Sequence, residues 1–329
     1  MTHRLVVLGS NSFSGSHMVK RLLAEGCDVL GLSRSPEVEG PFRTYGDRLS
    51  SGRWRFQQLD VRDTNDLESA LAGFDPHYVV NFAAQSMVAQ SWQHPEHWYQ
   101  TNVVALAKMT SALERLPSLI RYVHVTTPEV YGSTDGWIEE SNAFHPSTPY
   151  AISRAAGDMH VLAMHRERGL PVVLTRAANV YGPGQQLYRI VPRSLLYART
   201  GRTLKLEGRG ESTRSFIHMK DVADATLRIA QHGLNGATYH ISTDEIVSIR
   251  DLVAAACEAT GADFSALVEL APERPGKDAT YMLDSTLLKE ELDWQPTINL
   301  SEGLRDTLSW IDANLEALSH APDAYVHRE

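Results

Sequence analysis

Cysteine is almost missing from this chain: Cys27 and Cys257 are the only two among 329 residues. They lie far apart and have no metal-ligand spacing, so the sequence carries neither a disulfide framework nor a cysteine-based metal site. The histidines form no HExxH pair, and no metal is expected. Long apolar runs are missing too. None approaches the ~18–20 residues of a membrane span. "MTHRLVVLGS" passes straight into a strand pattern, with no room for a secretory leader. The expectation is a cytoplasmic protein with no membrane partner. A surplus of positive charge is also lacking. The formal net charge is −9, which argues against sequence-independent binding to nucleic acid. A few local arginines could still make a site for a small anion.

What the chain does have is alternation. "RLVVLG" (4–9), "CDVLGLSR" (27–34), "WRFQQLDV" (54–61), "YVVNFAA" (78–84), "RYVHVTT" (121–127) and "PVVLTRAANVYG" (171–182) read as strands, the last running into a loop. Helical spacing separates them over 12–26, 63–74, 97–115 and 149–168. Such a series predicts an α/β fold with a Rossmann-type, doubly wound parallel sheet. Past Gly182 the pattern loosens, with Pro183, Pro192, Gly201, Gly208 and Gly210 between short elements. Helices are expected at 219–233, 249–261 and 300–318, in a smaller C-terminal α+β substrate domain. The expected division is a dinucleotide-binding domain over 1–180, to which the chain returns around 215–245, and a mainly substrate-binding domain over 181–320. The closing "SHAPDAYVHRE" reads as a frayed tail.

The first candidate site is "LGSNSFSG". Gly9 and Gly15 stand between the first strand and the first helix, where the backbone can approach a pyrophosphate at a helix N-terminus. Asn11, Ser12 and Phe13 lie between them, and Ser12 takes the place of the usual middle glycine. A tight turn with no ligand is the alternative; the position at the first βα turn of a long α/β series favours the nucleotide. The second strand ends in Ser33 and Arg34, without an acid for the ribose hydroxyls. An arginine there accommodates a 2′-phosphate, so NADP is favoured over NAD. Asp60, followed by Val61, ends the third strand and would meet the adenine edge unless it only caps the next helix.

The second candidate site combines "VTTPEVYGS" (125–133), "TPYAISRAAGD" (148–158) and "RAANVYGPG" (176–184). Together these motifs resemble the extended short-chain dehydrogenase/reductase family, and within it the nucleotide-sugar 4,6-dehydratases acting on dTDP-glucose and GDP-mannose. "NFAAQSMVAQSWQHPEHWYQTNV" (81–103) resembles their stretch lining nicotinamide and substrate. It implies Ala83, Ala84, Gln85 and Asn102 on the cofactor and Ser86 on the substrate. "GRGESTRSFIHMKDVADA" (208–225) and "RPGKDATYMLDSTLLKEELDWQP" (274–296) resemble later segments of the same enzymes, so the likeness runs through nearly the whole chain.

The resemblance implies roles. Tyr150 would be the base for the sugar's 4-hydroxyl. Lowering a phenol from pKa ~10 to near 7 needs roughly 4 kcal/mol of preferential phenolate stabilisation. The family supplies part of it with a lysine one helical turn on, where this chain has Arg154. Thr127 would hydrogen-bond the 4-hydroxyl and Glu129 would remove the proton from carbon 5. The family's aspartate between them, an acid in the dTDP-glucose enzymes, is Pro128 here. Asn179, Arg193, Arg214 and Arg274 would hold the nucleotide-sugar, Arg214 and Arg274 on its pyrophosphate. The helices near 97–115 and 150–168 would pair two subunits in a homodimer. A 4-epimerase or a uronate decarboxylase of the same fold is a close alternative. A degraded relative that binds nucleotide as a sensor or scaffold is the third, suggested by Ser12, Pro128 and Arg154.

Overall fold

The computed structural model describes residues 2–272 and 281–328. Its first strand shows how the core is made. In β1 (Arg4–Leu8) Leu5 and Val7 point to one face and Val6 and Leu8 to the other, and all four are buried. A strand covered on both faces needs a continuous apolar run, which is why "LVVL" does not alternate. Helix α1 (Phe13–Ala24) covers the first face with Met18, Val19 and Leu22. After β2 (Asp28–Ser33) and β3 (Trp54–Gln58), helix α2 (Thr64–Phe74) covers the second with Leu67 and Leu71.

Strand β4 (Tyr78–Asn81) leads into a long helical stretch: α3 (Pro95–Tyr99), a π-helical segment Gln100–Ala105, and α4 (Leu106–Leu113). Then come β5 (Arg121–Val125), the short β6 (Trp137–Ile138), α5 (Pro149–Arg168) and β7 (Val172–Ala177). The run 171–182, expected as a strand running into a loop, carries two strands. At Ala178, whose N–H donates to the Ile241 carbonyl, the chain leaves the first sheet, and β8 (Asn179–Tyr181) joins a second one.

The remaining elements are α6 (Ile190–Thr200), β9 (Leu204–Glu207), β10 (Thr213–His218), α7 (Met219–His232), β11 (Thr238–Ile241) and β12 (Ile246–Ser248). They are followed by α8 (Ile249–Thr260), α9 (Phe264–Leu267), β13 (Val268–Ala271), β14 (Met282–Leu283), α10 (Thr286–Leu292), α11 (Leu300–Ala313) and α12 (Leu315–His320). Asn314, not expected as a break, divides the last helical stretch.

The main sheet has the order β11-β7-β5-β4-β1-β2-β3, with every pairing parallel. Helix α7 returns to pack on α1, and β11 adds the seventh strand beside β7. The order reverses between β1 and β4, and the C-terminal ends of these two strands open the crevice where α/β sheets bind ligands. A second core, with Leu195, Phe216, Leu252 and Leu304, ties α6, β10, α8 and α11 together beside that crevice. No helix among the described residues is long and apolar enough to cross a membrane.

Candidate active site

The loop after β1 explains its two glycines by contact. Gly9 has φ +75°, and a Cβ there would lie 2.8 Å from the Ala83 backbone nitrogen. A Cβ on Gly15 would lie 2.2 Å from the Gly9 carbonyl oxygen. Ser12 needs no such freedom. Its φ is −69°, and its hydroxyl caps α1 by accepting the Gly15 N–H at 3.0 Å. Serine in the middle position is therefore compatible with an open anion-binding helix end. Gly9, Asn11, Ser12, Ser33, Arg34, Asp60, Val61, Ala83, Ala84 and Gln85 line one cleft of about 250 Å³. Its glycine-rich floor, the adjoining helix N-terminus and the guanidinium of Arg34 at its rim fit a dinucleotide.

Several of the cofactor residues expected from sequence also make contacts within the protein. The Phe13 side chain is in the core, edge-on to His17 at 5.1 Å, so only its backbone belongs to the loop. Asn102 is buried and stands behind the cleft. Its Oδ1 accepts the Gln85 N–H at 2.9 Å, while its Nδ2 donates to the Gln85 carbonyl and to Ser153 Oγ, each at 2.9 Å. It positions the Gln85 loop against α5. Ser33 turns inward, and its hydroxyl accepts the Asn11 N–H at 3.0 Å. Asp60 is clasped by Arg62, which donates from Nη2 at 2.8 Å and from its backbone at 2.9 Å. Despite partial burial, these bonds hold the Asp60 carboxyl below its usual pKa. Asn11 also ties down the loop after β2, donating to the carbonyls of Ser35 and Pro36.

Strand β5 leads into the second candidate site. Beyond Val125 the chain enters the single turn Pro128–Tyr131, capped by Thr127, whose hydroxyl accepts the Glu129 N–H at 3.2 Å. Proline at the first position of that turn suits its geometry. Helix α5 starts at Thr148, which caps it through the Ala151 N–H, and presents Tyr150 and Arg154 one turn apart. Thr127, Glu129, Tyr150 and Arg154 are all buried. Burial pushes the Tyr150 phenol above its ordinary pKa, and the nearby Glu129 carboxylate adds to this. The Arg154 charge, the Thr127 hydrogen bond and the Arg189 charge oppose it. Arg154 donates to the Val125 carbonyl, and its buried Nε has no hydrogen-bond partner among the described residues.

Behind this group lies a second polar cluster, fully inside the molecule. Asp158 pairs with Arg176 Nη2 at 2.8 Å and faces His124 Nε2 at 3.4 Å. Burial alone would raise the Asp158 pKa; the His124 hydrogen bond and the charges of Arg176, His124 and Arg154 outweigh it and hold the carboxyl low. Arg176 also donates to the Ser141 carbonyl at 3.1 Å and to the Tyr131 hydroxyl, which in turn meets His240 Nε2 at 2.7 Å. Burial, with help from the Arg176 charge, lowers His240 to about 3.

The expected substrate residues are more dispersed. Ser86 is exposed beside Gln85. Asn179 donates to the Ser215 carbonyl at 3.2 Å, joining β8 to β10. Arg193 on α6 donates to the Asp323 carbonyl at 2.7 Å, and Arg214 donates to the Thr213 carbonyl at 2.8 Å. Arg274 lies outside the described residues. Arg189 was not foreseen: its charge acts on the Tyr150 phenol, yet nothing in "YRIVPRS" separates it from a surface arginine. The tail was misread. Residues 323–328 are not frayed but fastened by hydrogen bonds to Arg193, Gln85 and Arg34. Among the described residues, His94, Glu96 and His97 bring their ligand atoms within 4.8 Å of one another at the start of α3.

Known proteins resemble this chain over nearly its whole length. The profile of the GDP-mannose 4,6 dehydratase family matches residues 6–307. A dTDP-glucose 4,6-dehydratase of Streptomyces griseus is 32% identical over 321 residues, covering 94% of this chain and 94% of its own. The solved dTDP-glucose 4,6-dehydratase of Streptomyces venezuelae, with NAD bound, superposes with a TM-score of 0.88 at 32% identity, over 95% of this chain and 98% of that one. UDP-glucose 4-epimerase of Thermotoga maritima, solved with UDP-glucose, reaches 0.86 at 26% identity, over 95% and 99%.

Proposed function

The chain belongs to the nucleotide-sugar 4,6-dehydratase family of extended short-chain dehydrogenase/reductases, and from that premise we propose that it removes water from a nucleoside-diphosphate hexose. The observation that carries this reading is the burial of Thr127, Glu129 and Tyr150 together at the C-terminal end of β5, beside the dinucleotide cleft. Gly9, Asn11, Ser12, Ala83 and Gln85 of that cleft would hold a nicotinamide dinucleotide, which when bound would supply the hydride chemistry between carbons 4 and 6. We take NAD as the form used. The Arg34 guanidinium suits a 2′-phosphate, but it already holds the Arg328 carbonyl at 3.0 Å and Ser33 is turned inward. The Streptomyces venezuelae relative carries NAD.

Tyr150 takes the proton of the 4-hydroxyl, and Arg154 and Thr127 stabilise the phenolate. The resulting ketone acidifies carbon 5, whose proton passes to Glu129. Pro128 has no proton to give. Glu129 therefore delivers its proton to the hydroxyl leaving carbon 6, and water departs. Carbon 5 then takes a proton from solvent as hydride reaches carbon 6, and Tyr150 releases to solvent the proton it took from the 4-hydroxyl, so the net change is the loss of one water. Asn179, Arg193, Arg214 and Arg274 are the residues we assign to the nucleotide-sugar. Residues 1–180 and the return around 215–245 form the cofactor part, and 181–320 mainly the substrate part. The exposed apolar side chains Tyr99, Val104, Ile152 and Met159, on the helical stretch of α3 and α4 and on α5, support a homodimer built on those helices.

The test is to incubate the protein with dTDP-, UDP-, GDP- and CDP-hexoses in heavy water and follow product mass. The expected product is one water lighter and carries deuterium at carbon 5; Tyr150→Phe makes none. An isomer without deuterium would mean a 4-epimerase, and carbon dioxide from a uronate a decarboxylase. Dinucleotide binding with no turnover of any sugar would favour the sensor or scaffold.

A further inference from the structure

After α12 the chain does not leave the molecule. It runs from the substrate side of the crevice to the rim of the dinucleotide cleft, tied down at each step. The Asp323 carbonyl accepts from Arg193 Nη2 at 2.7 Å, and its carboxylate accepts from the Tyr197 hydroxyl at 2.7 Å and from Arg202. The Tyr325 ring meets Tyr188 edge-on at 5.6 Å. His327 lies parallel to Trp98 with ring centres 5.0 Å apart, and its Nε2 is 2.9 Å from His97 Nδ1. The Arg328 carbonyl accepts from Gln85 Nε2 at 2.8 Å and from Arg34 at 3.0 Å.

Two features decide what this segment does. Its hydrogen bonds to the cleft go to Gln85 and Arg34, while the cleft keeps an open volume of about 250 Å³ over Gly9, Ser12 and Ala83. The tail thus crosses the mouth rather than filling the floor. Its far anchor, Asp323, sits on α6, so the segment bridges the two sides of the crevice.

We propose that residues 323–328 are a strap that retains the bound nicotinamide dinucleotide. The inference rests on the function proposed above. A dehydratase that takes hydride from carbon 4 and returns it to carbon 6 regenerates its cofactor in every cycle and gains nothing by exchanging it. A covering segment fastened at the rim slows dissociation without touching the chemistry.

The test measures cofactor release, not turnover. Full-length protein and a chain ending at Pro322 are loaded with radiolabelled NAD and chased with excess unlabelled NAD. Release from the shortened chain is expected to be faster by about tenfold or more. His327→Ala, which removes the contacts with His97 and Trp98 and leaves the rest of the chain, is expected to fall between the two; it decides the matter if the shortened chain does not fold. Equal release rates in folded proteins would overturn the strap. Slower release or tighter binding without the tail would overturn it too, making the tail a competitor for the cleft. Failure of the full-length protein to bind NAD or NADP at all would instead strike the proposed function itself, and the strap with it.

Discussion

Arg154 and Arg176 are two guanidiniums sunk into the same wall of the molecule, and they are held in opposite ways. Arg176 is inaccessible to solvent and meets a carboxylate, Asp158, at 2.8 Å, a carbonyl and a hydroxyl, with its plane over the Tyr131 and Phe144 rings. Arg154 is nearly as buried, yet the acceptor that the structure gives it is the Val125 carbonyl. It feels the charge of Asp158 without bonding to it. A buried cation is tolerable when it is paired and costly when it is not. Arg176 follows the rule of structure. Arg154 departs from it, beside the phenol whose ionisation it favours. Burial without a carboxylate partner among the described residues is what a cation working on a neighbouring group looks like.

The largest effect that separates the two concerns turnover. Arg154→Met keeps the bulk and removes the charge. If that charge supplies most of the roughly 4 kcal/mol that the phenolate needs, turnover should fall by about a thousandfold. Stability should hold or rise slightly, because an incompletely paired buried charge is gone. Thermal unfolding and the sugar-nucleotide assay on one preparation check both halves. A melting temperature that drops sharply would place Arg154 with Arg176 and erase the distinction.

Arg176→Met should do the reverse. It strands Asp158 without its main partner, and breaking a buried pair in this way costs about 3–5 kcal/mol. The urea midpoint should fall accordingly. Protein that remains folded should still bind NAD, since none of the bonds made by Arg176 reaches the cleft residues. Unchanged stability would mean that Asp158 is held by His124 and by the charge of Arg154 instead.

The two arginines also mark how far a sequence can be read. Both lie in motifs that drew notice, "ISRAAGD" and "RAANVYG", and the resemblance gave Arg154 its place one turn after Tyr150. Nothing local says that Arg176 meets Asp158, because that pairing depends on α5 packing across β7. The same division holds elsewhere. Most of the six strands were legible because they are short apolar runs covered on two faces; β3, at the sheet edge, is the exception, with Arg55, Gln57 and Gln58 exposed. Strand β11 was not: "TYHI" is four residues long, and the imidazole of its buried His240 finds partners in distant Tyr131 and Asp284. Gly9 and Gly15 were legible because their demand is steric and local. The tail was not, because "APDAYVHR" has no period and its anchors, Arg34, Gln85 and Arg193, lie more than a hundred residues away.

The smallest expected effect is the sharpest test of what Arg154 contributes. Arg154→Lys restores the residue type that the family has at this position. A lysine keeps the positive charge near Tyr150 but is shorter, carries a compact ammonium in place of a planar fork, and gives up the reach to the Val125 carbonyl. If the phenol needs only a fixed cation, turnover should stay within about tenfold of the parent or rise. NAD release and the melting temperature should move little. If the planar guanidinium is itself required, to brace the end of β5 through Val125 while facing the phenol, the lysine variant should lose turnover as completely as Arg154→Met, with the dinucleotide still bound. That result would make the arginine a feature of this enzyme's own chemistry rather than a neutral exchange of one cation for another.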